Sequence, residues 1–197
     1  LKIASKFGLD IPKTIITNDS AKLLKFCNEE GSVIAIKTIK SHFFNLEDSN
    51  DAFVIYTNKI TEDQIIENLK DVSLAPIMAQ SYIAKNVELR VTIVGKEIFT
   101  CAIHSQESEK TKHDWRRYDF DNVKHEIFNL PCKIKEKLLA MMNFYGLSFG
   151  AIDMILTPQG EYVFLEINPN GQWGWIEGLT KMPISLTLAK LLANPTK

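Results

Sequence analysis

Two acidic residues and an amide lie in two adjacent predicted strands, where their oxygens could hold a divalent cation. Asp153 belongs to the apolar run 149–156, and Glu166 and Asn168 lie near the end of the run 162–168. Two carboxylates and an amide oxygen form a hard-oxygen set suited to Mg²⁺, which keeps water and phosphate oxygens as its other ligands. The alternative is a pair of charges on a solvated face. Because side chains alternate along a strand, one face of the second strand is expected to hold Tyr162, Phe164, Glu166 and Asn168.

The turn between these strands decides whether the two carboxylates meet. A two-residue turn at Gln159 and Gly160 would place Asp153 directly opposite Glu166. A turn centred on Pro158 and Gln159 would also leave both carboxylates on one face, whereas a three-residue loop would separate them. Like charges opposite each other destabilise a hairpin, and a bound cation would offset that repulsion.

Cationic side chains elsewhere could contact phosphate. Lys37 interrupts the apolar strand predicted at 32–39, where it could reach phosphate oxygens in a cleft or extend from the strand end into solvent. Arg90 has core-facing neighbours. Arg116 and Arg117 lie in a polar segment, and an arginine fork can bind phosphate or carboxylate at two points. The alternative for that segment is a solvated arginine pair.

A short extended segment could bind a nucleotide base. Backbone N–H and C=O groups beside an apolar cleft can hydrogen-bond an adenine edge, and a carboxylate a few residues later can accept from ribose hydroxyls. Glu88 is a carboxylate that follows this segment by a few residues. An ordinary central strand is the alternative. The segment consists of Gln80, Ser81, Tyr82 and Ile83.

The elements that must position these residues alternate between helix and strand. The first part of the chain reads as a helix ending at Gly8, an extended run from Thr14 to Thr17, a helix capped by Asn18, Asp19 or Ser20, the strand 32–39, a polar loop from Ser41 to Asp51, a strand at 52–57 and a helix capped by Thr61. After Pro76 the pattern becomes β, with strands at 77–83, 87–95 and 97–106, a polar and exposed loop at 107–122, a short strand at 123–128, a helix from Pro131, the hairpin and a last helix from Ile184 to Leu192. Helical spacing predicts a core stripe of Ile134, Leu138, Met141, Met142 and Tyr145.

This order predicts an α+β fold of two lobes. We place the boundary near residues 71–76, which gives domains 1–73 and 74–197. The chain begins at Leu1 in what reads as the middle of a helix, so we expect it to be a fragment.

Composition excludes several classes of function. The 197 residues are 45% hydrophobic and 24% charged with a net charge of −1, which does not indicate binding to nucleic acid or to a membrane surface. The four histidines lack zinc-type spacing. The three cysteines are isolated, which favours a reducing cytoplasm. Neither a signal peptide nor a run of eighteen apolar residues is visible.

The segment 168–177, with sequence NPNGQWGWIE, combines two tryptophans, two glycines and three amide side chains. Pro169 and the glycines indicate turns. Trp173 and Trp175 would supply area for packing or for a peptide substrate. A purely structural cap is the alternative.

Taken in order, these pieces resemble the ATP-grasp superfamily. The apolar strand with Lys37, the segment QSYI, the strand ELR, the loop DWRRYD, Asp153 and the Glu166-x-Asn168 pair follow its succession. VELRVTIVG, DWRRYD and LEINPNGQWGWIE are more closely similar to the ATP-grasp ligases that mature microviridin-type ribosomal peptides, the graspetides. Glutamate ligases of the RimK type are more distantly similar.

The resemblance implies a role for each residue at a matching position. It implies a nucleotide cleft between antiparallel sheets, with Lys37 on the ATP phosphates, residues 80–83 on adenine and Glu88 on ribose. The arginines would stabilise phosphate and an acyl-phosphate intermediate, and they are Arg90, Arg116 and Arg117. The Mg²⁺ ligands would be Asp153, Glu166 and Asn168.

The chain departs from the family pattern in four places. An ATP-binding lysine upstream of the first helix is absent, as is the N-terminal domain that helps to hold the peptide, so we expect this fragment to be weakly active or inactive. The loop after Lys37 lacks the glycines of a phosphate lid. Ser81 stands where some relatives have glutamate, so backbone contacts would dominate there.

The sequence therefore predicts an ATP- and Mg²⁺-dependent ligase. It would activate Asp or Glu side chains of a ribosomal precursor peptide as acyl phosphates and form ester or amide cross-links, and a homodimer is possible. A RimK-like ligase that adds a free amino acid and a non-catalytic ATP-binding module are the alternatives.

Overall fold

A computed structural model describes residues 1–39, 43–45 and 52–194 of the chain. The chain forms two compact units. The large unit comprises residues 1–11, 84–109 and 119–197, and the small unit comprises residues 12–83 and 110–118. Each unit has a sheet and a core of its own, and each is described separately below.

The described residues form seven helices, eleven strands and two 3₁₀ turns. The first elements are α1 (Lys2–Lys6), β1 (Thr14–Thr17), α2 (Ser20–Glu29), β2 (Val33–Lys37), β3 (Phe43–Asn45), β4 (Ala52–Val54), β5 (Asn58–Thr61), α3 (Glu62–Glu67), α4 (Leu69–Val72) and β6 (Ile77–Ser81). They are followed by β7 (Val87–Val94), β8 (Glu97–Ile103), two 3₁₀ turns (Ser105–Glu107 and Trp115–Arg117), β9 (His125–Ile127), α5 (Cys132–Phe144), β10 (Phe149–Leu156), β11 (Tyr162–Asn168), α6 (Gly174–Thr180) and α7 (Ile184–Ala193).

The small unit is built on an antiparallel sheet with strand order β1-β6-β2-β5, and β3 pairs with β4 in a separate ribbon. Asp19 caps α2 by accepting from the amides of Ala21 and Lys22, and Thr61 forms a capping box with Gln64 at the start of α3. Both helices pack on the sheet around the buried residues Leu23, Phe26, Cys27, Ile34, Ile65 and Ala79. Local caps and an apolar run of residues therefore predicted α2, α3 and β2, but not the edge strand β5.

The large unit is built on a five-stranded antiparallel sheet with strand order β11-β10-β7-β8-β9. One face of the sheet is apolar because alternate residues of β7, such as Leu89, Val91 and Ile93, point into the core. The helices α1 and α5 supply the other side of that core through Ala4, Leu138, Met141 and Met142. The opposite face of the sheet carries the polar residues of the candidate site.

The division between the units differs from the predicted boundary near residues 71–76. Strand β6 pairs with both β1 and β2, so the chain stays in the small unit as far as Ile83. Residues 1–11 belong to the large unit, since Leu9 lies in its core and the Asp10 carbonyl accepts from the Phe164 amide at 2.8 Å. Pairing between strands distant in the sequence, rather than a linker, sets the boundary.

Three local predictions were wrong. The segment 107–122 is not uniformly exposed, because Thr111, Asp114 and Trp115 are buried. Tyr145 is 45% exposed and does not belong to the core stripe of α5. The segment 168–177, with its two tryptophans, was expected to be a loop with turns, but its last residues are helical because α6 begins at Gly174.

One further prediction was partly right, and another concerns residues that are mostly not described. The strand predicted at 52–57 ends at Val54, and an unpredicted strand, β5, follows it. The predicted polar loop from Ser41 to Asp51, which lacks the glycines of a phosphate lid, lies largely outside the described residues. Within the described part of the chain, no helix has the length and apolar character needed to cross a membrane.

Candidate functional site

The hairpin of β10 and β11 brings the two predicted carboxylates together. Thr157 and Glu161 close a three-residue loop, with the Thr157 amide donating to the Glu161 carbonyl at 2.9 Å. That loop alone would place Asp153 opposite Leu165. A bulge in the pairing shifts the register by one residue, so that Asp153 lies directly opposite Glu166. The two carboxylates therefore share a face despite a loop length that was expected to separate them.

The same bulge corrects the predicted face of β11. Phe164 pairs with Met154, and both lie in the apolar core, with Tyr162 packed against it. Glu166 and Asn168 therefore lie on the opposite, polar face. The prediction that all four residues share one face was wrong because it assumed a regular strand.

Arg90 joins this polar face from β7. Its Nη1 donates to Asp153 Oδ1 at 2.9 Å, and its Nη2 donates to the Gln172 carbonyl at 3.2 Å. Both Arg90 and Asp153 are buried. The segment after β11 can approach this closely because residue 171 is glycine: an added Cβ would lie 2.2 Å from the Ala151 Cβ and 2.8 Å from Arg90 Nη2. The guanidinium is thus fixed between a carboxylate and a carbonyl.

Burial raises the pKa of Asp153 to about 6, with Arg90 opposing this effect and the neighbouring Glu166 adding to it. The Arg90 guanidinium compensates one of the two carboxylates of the Asp153–Glu166 pair. The second charge leaves the pair with an excess negative charge that a divalent cation would neutralise.

The oxygen donors on this face fit Mg²⁺. Asn168 pairs with Ala151 at the same edge of the hairpin, and its Oδ1 accepts from the Asn170 amide at 2.8 Å, which fixes the side chain. No group of three or more His, Cys, Asp or Glu side chains in the described residues forms a metal cluster. Two carboxylates and an amide would therefore need water and phosphate oxygens to complete an octahedral shell, as is usual for Mg²⁺.

Glu88 lies two residues before Arg90 on the same face of β7 and is also buried. Its Oε1 accepts from Lys85 Nζ at 2.9 Å and from Ser105 Oγ at 2.8 Å. The lysine compensates the charge of this carboxylate, and the serine fixes its orientation. A carboxylate held in this way is suited to accept hydrogen bonds from sugar hydroxyls.

The predicted adenine-binding segment divides into two parts. Gln80 pairs with Thr14 and with Ala35, and its Nε2 donates to Thr14 Oγ1 at 3.0 Å. The Ser81 amide donates to the Lys13 carbonyl at 3.0 Å. The sheet therefore uses polar groups of both residues, whereas Tyr82 and Ile83 follow the end of β6.

Tyr82 has partners within the small unit. Its hydroxyl and His113 Nδ1 are 3.1 Å apart, and Lys59 Nζ lies 5.0 Å from the centroid of its ring. Lys37 is the last residue of β2, is half-buried and pairs with Met78. A phosphate contact by Lys37 stays a prediction, as does its alternative, a lysine at a strand end.

Asp114 organises the predicted arginine loop. Its carboxylate accepts from Arg116 Nε at 2.8 Å and from Arg116 Nη2 at 2.6 Å, so the Arg116 fork is bound at two points. It also accepts from the amides of Arg116 at 3.0 Å and Thr57 at 2.8 Å. Burial tends to raise the pKa of Asp114, but the hydrogen bonds and charge of Arg116 and the Thr57 amide outweigh it and hold the pKa below its usual value.

Arg117 is held differently. Its Nη2 donates to Asn58 Oδ1 at 3.1 Å, and its guanidinium carbon lies 5.1 Å from the centroid of the Tyr56 ring. Its buried Nε has no hydrogen-bond acceptor among the described residues. The two adjacent arginines therefore differ in how much of their donor capacity the protein itself uses.

The two tryptophans after β11 make different contacts. Trp173 Nε1 donates to Ser185 Oγ at 3.1 Å, and its ring meets Phe149 edge-on. Trp175 packs with Phe120 and His125 beside β9. Trp173 thus connects α6 to α7, which favours a structural role for this side chain.

Sequence reasoning missed Asp114, Lys85, Ser105 and Gly171. The position of Asp114 two residues before Arg116 is typical of an aspartate that caps a turn, and this signal could have been used. Ser105 and Gly171 act through contacts with residues distant in the sequence. No local pattern marks them.

Comparisons with known proteins identify a family for most of the chain. The family described as the ATP-grasp domain of prokaryotic glutathione synthetases matches residues 2–169. A search of curated proteins gave no match.

Solved structures give more specific similarities. The macrocyclase MdnC from Microcystis aeruginosa MRC, bound with precursor peptide MdnA, is 35% identical over 100% of this chain and 60% of its own, with a TM-score of 0.85. A RiPP-associated ATP-grasp ligase from Chryseobacterium gregarium, in complex with ADP and a leader and core peptide, is 34% identical over 100% of this chain and 58% of its own, with a TM-score of 0.88. The macrocyclase MdnB from Microcystis aeruginosa MRC is 31% identical over 98% of this chain and 57% of its own, with a TM-score of 0.72. The chain thus spans somewhat more than half the length of these proteins.

Proposed function

The chain belongs to the ATP-grasp domain family of prokaryotic glutathione synthetases, and from this premise we propose that the protein is an ATP-dependent ligase that cross-links a ribosomal precursor peptide. ATP-grasp enzymes generally use ATP and Mg²⁺. The similarity to peptide-bound macrocyclases and ligases over the full chain supports a peptide substrate. The observation that carries the proposal is the buried Arg90 fixed beside the Asp153–Glu166 pair on one sheet face.

The reaction has two steps. A side-chain carboxylate of the peptide attacks the γ-phosphorus of ATP, the bond to the β-phosphate oxygen breaks, and an acyl phosphate and ADP form. A hydroxyl or amine of the same peptide then attacks the acyl carbon, losing its proton as inorganic phosphate leaves. The product is an ester or amide ring. Both steps create or move negative charge, so positioned cations stabilise the transition states.

The large unit would supply the metal site and the positively charged side chain of Arg90. Asp153, Glu166 and Asn168 would hold Mg²⁺, and the ion would neutralise negative charge on the phosphate groups. Arg90 would orient a phosphoryl or acyl-phosphate oxygen while the Asp153 carboxylate fixes its guanidinium plane. Glu88 would accept hydrogen bonds from the ribose hydroxyls, as its burial and its fixation by Ser105 support.

The small unit would supply further contacts to the nucleotide and substrate. Backbone groups of Tyr82 and Ile83 would contact the adenine edge. Gln80 and Ser81 would serve mainly to fix the strand that leads to them, because the sheet uses their polar groups. Lys37 would contact phosphate, and the arginine-containing 110–118 segment would supply a cation that stabilises the acyl phosphate.

The protein at its natural length, incubated with ATP, Mg²⁺ and its precursor peptide, tests this function. We expect peptide-dependent ADP release together with a peptide that has lost the mass of one water per ring. Asp153→Asn should abolish both signals. Glu161→Gln, an exposed change in the same hairpin, should abolish neither.

Two other outcomes would contradict the proposal. A peptide that gains the mass of an amino acid would indicate a ligase that adds free amino acids. Nucleotide binding without any ADP release in the presence of the cognate peptide would indicate a non-catalytic module.

We also infer that the protein acts in the cytoplasm, where thiols stay reduced. Cys27, Cys101 and Cys132 are all free, and the first two are buried. Formation of a homodimer stays a prediction, and sedimentation of the purified protein would test it.

A further inference from the structure

The two adjacent arginines of the 110–118 segment differ in their bonding, which indicates different roles. Asp114 binds Arg116 at two points, through Nε and Nη2. Arg117 donates through Nη2 to Asn58, and its buried Nε has no acceptor among the described residues. An arginine whose fork is already occupied by a carboxylate is less suited to bind a second anion at two points.

Asp114 also connects its own segment to the strand region before β5. The amide of Thr57 donates to Asp114 Oδ2 at 2.8 Å, and Arg116 Nη2 lies 3.4 Å from Thr57 Oγ1. Tyr56 and Asn58, on either side of Thr57, are the two residues that hold Arg117. The Asp114 carboxylate therefore fixes the backbone between the two residues that contact the Arg117 side chain.

We propose that Asp114 is a positioning residue that acts through Thr57 and Arg116, and that Arg117 is the arginine of this pair that binds the phosphate or acyl phosphate. Arg116 completes the anchor and does not contact the substrate. The assignment to phosphate rests on the proposed ligase function, whereas the anchoring role does not.

Steady-state kinetics on the protein at its natural length test the proposal. Misplacement of a positioned group by about 1 Å can cost on the order of 100-fold in rate, so we expect Asp114→Asn and Arg117→Lys each to lower kcat by roughly 10- to 100-fold. KM for ATP should change little. Because Asp114 acts by placing Arg117, the double variant should have nearly the same kcat as Arg117→Lys alone.

A purely structural role for Asp114 predicts a different result. The losses in apparent kcat per total enzyme would then multiply in the double variant, and titration of active sites would show that Asp114→Asn reduces the active fraction while kcat per active site stays unchanged. Either result would overturn the proposal. Arg116→Lys is compared in the wild type and in the Asp114→Asn variant. If it lowers kcat by the same factor in both, Arg116 acts independently of Asp114, and its anchor role is overturned.

Amide hydrogen exchange tests the anchor without any turnover. At least one of the Thr57 and Arg116 amides should exchange about tenfold faster in Asp114→Asn, because the asparagine side chain keeps only one of the two oxygen acceptors. Unchanged exchange at both amides would refute the anchor. If the amides respond but the wild-type protein shows no peptide-dependent ADP release, the ligase function and the assignment to Arg117 fail while the anchor remains.

Asp19→Asn is the matched control. Asp19 also accepts from two backbone amides, those of Ala21 and Lys22, and it lies in the same unit, but it caps the exposed start of α2. We expect its kcat and the exchange of the Thr57 amide to equal those of the wild type.

Discussion

Asp153 and Glu166 lie directly opposite each other on β10 and β11 because a bulge in the pairing offsets the three-residue loop that joins the strands. Two carboxylates in this relation repel each other. Arg90 compensates one of them through a 2.9 Å hydrogen bond to Asp153. The remaining negative charge makes this pair sensitive to pH and to a bound cation.

The first prediction concerns pH. Burial, opposed by Arg90 and reinforced by Glu166, raises the pKa of Asp153 from 3.8 to about 6. A carboxyl whose pKa is raised by folding stabilises the protein below its unfolded pKa, and this stabilisation is lost as the pH rises through the folded pKa. Without metal, the free energy of unfolding should therefore fall by roughly 3 kcal/mol between about pH 4 and pH 6 through this group.

Denaturant unfolding across this pH range checks the prediction. Asp153→Asn removes the titrating group, so this component of the slope should disappear in that variant. An identical slope in the variant would show that other groups cause it.

The second prediction concerns metal binding. Glu166→Gln removes a proposed Mg²⁺ ligand, and even outer-shell changes at metal sites cost roughly 10- to 100-fold in affinity. The thermal stabilisation by ADP in the presence of Mg²⁺ should therefore become smaller, because a ligand at a given concentration stabilises the native state less when it binds more weakly. Glu161→Gln is the control in the same hairpin. Equal stabilisation of the two variants would argue against a metal site on this face.

The third prediction concerns Gly171. A Cβ at this position would lie 2.2 Å from the Ala151 Cβ and would displace Arg90, so Gly171→Ala should destabilise the protein by about 1–3 kcal/mol. Gly178→Ala should be neutral or stabilising by up to about 1 kcal/mol, because it lies in α6 with nothing within 4 Å of an added Cβ.

A rescue experiment identifies the cause of this loss. Ala151→Gly removes the atom nearest to the new Cβ, so it should restore part of the stability of Gly171→Ala. Thermal unfolding of the single and double variants measures both effects. Additive losses would show that close packing on Ala151 is not the reason.

The fourth prediction concerns acid stability of the small unit. Although burial acts in the other direction, Arg116 and the Thr57 amide hold the pKa of Asp114 below its usual value. Its stabilisation is therefore present above the unfolded pKa of about 4 and is lost as the pH falls through the lower folded pKa. Asp114→Asn should reduce stability at pH 7 and flatten the acid limb, as followed by denaturant unfolding between about pH 2 and pH 7. An unchanged acid limb would contradict the role of Arg116 in holding this carboxylate ionised.

The sequence by itself determined the elements and the kinds of chemistry available to them. Apolar alternation predicted β7 and β10, the caps Asp19 and Thr61 predicted two helix starts, and the order of charged residues indicated the ATP-grasp family. These signals are local, because strand alternation and capping depend on residues only a few positions apart.

Only the tertiary structure decided which charges face one another. The bulge that returns Glu166 to Asp153 could not be read from the strand pattern, since a single extra residue reverses every side chain beyond it. The division of the units, the hydrogen bond from the Thr57 amide to Asp114 and the close approach of Gly171 to Arg90 likewise join residues from separate elements. Such contacts depend on how the strands pair and how the loops pack, and no local run of sequence encodes them.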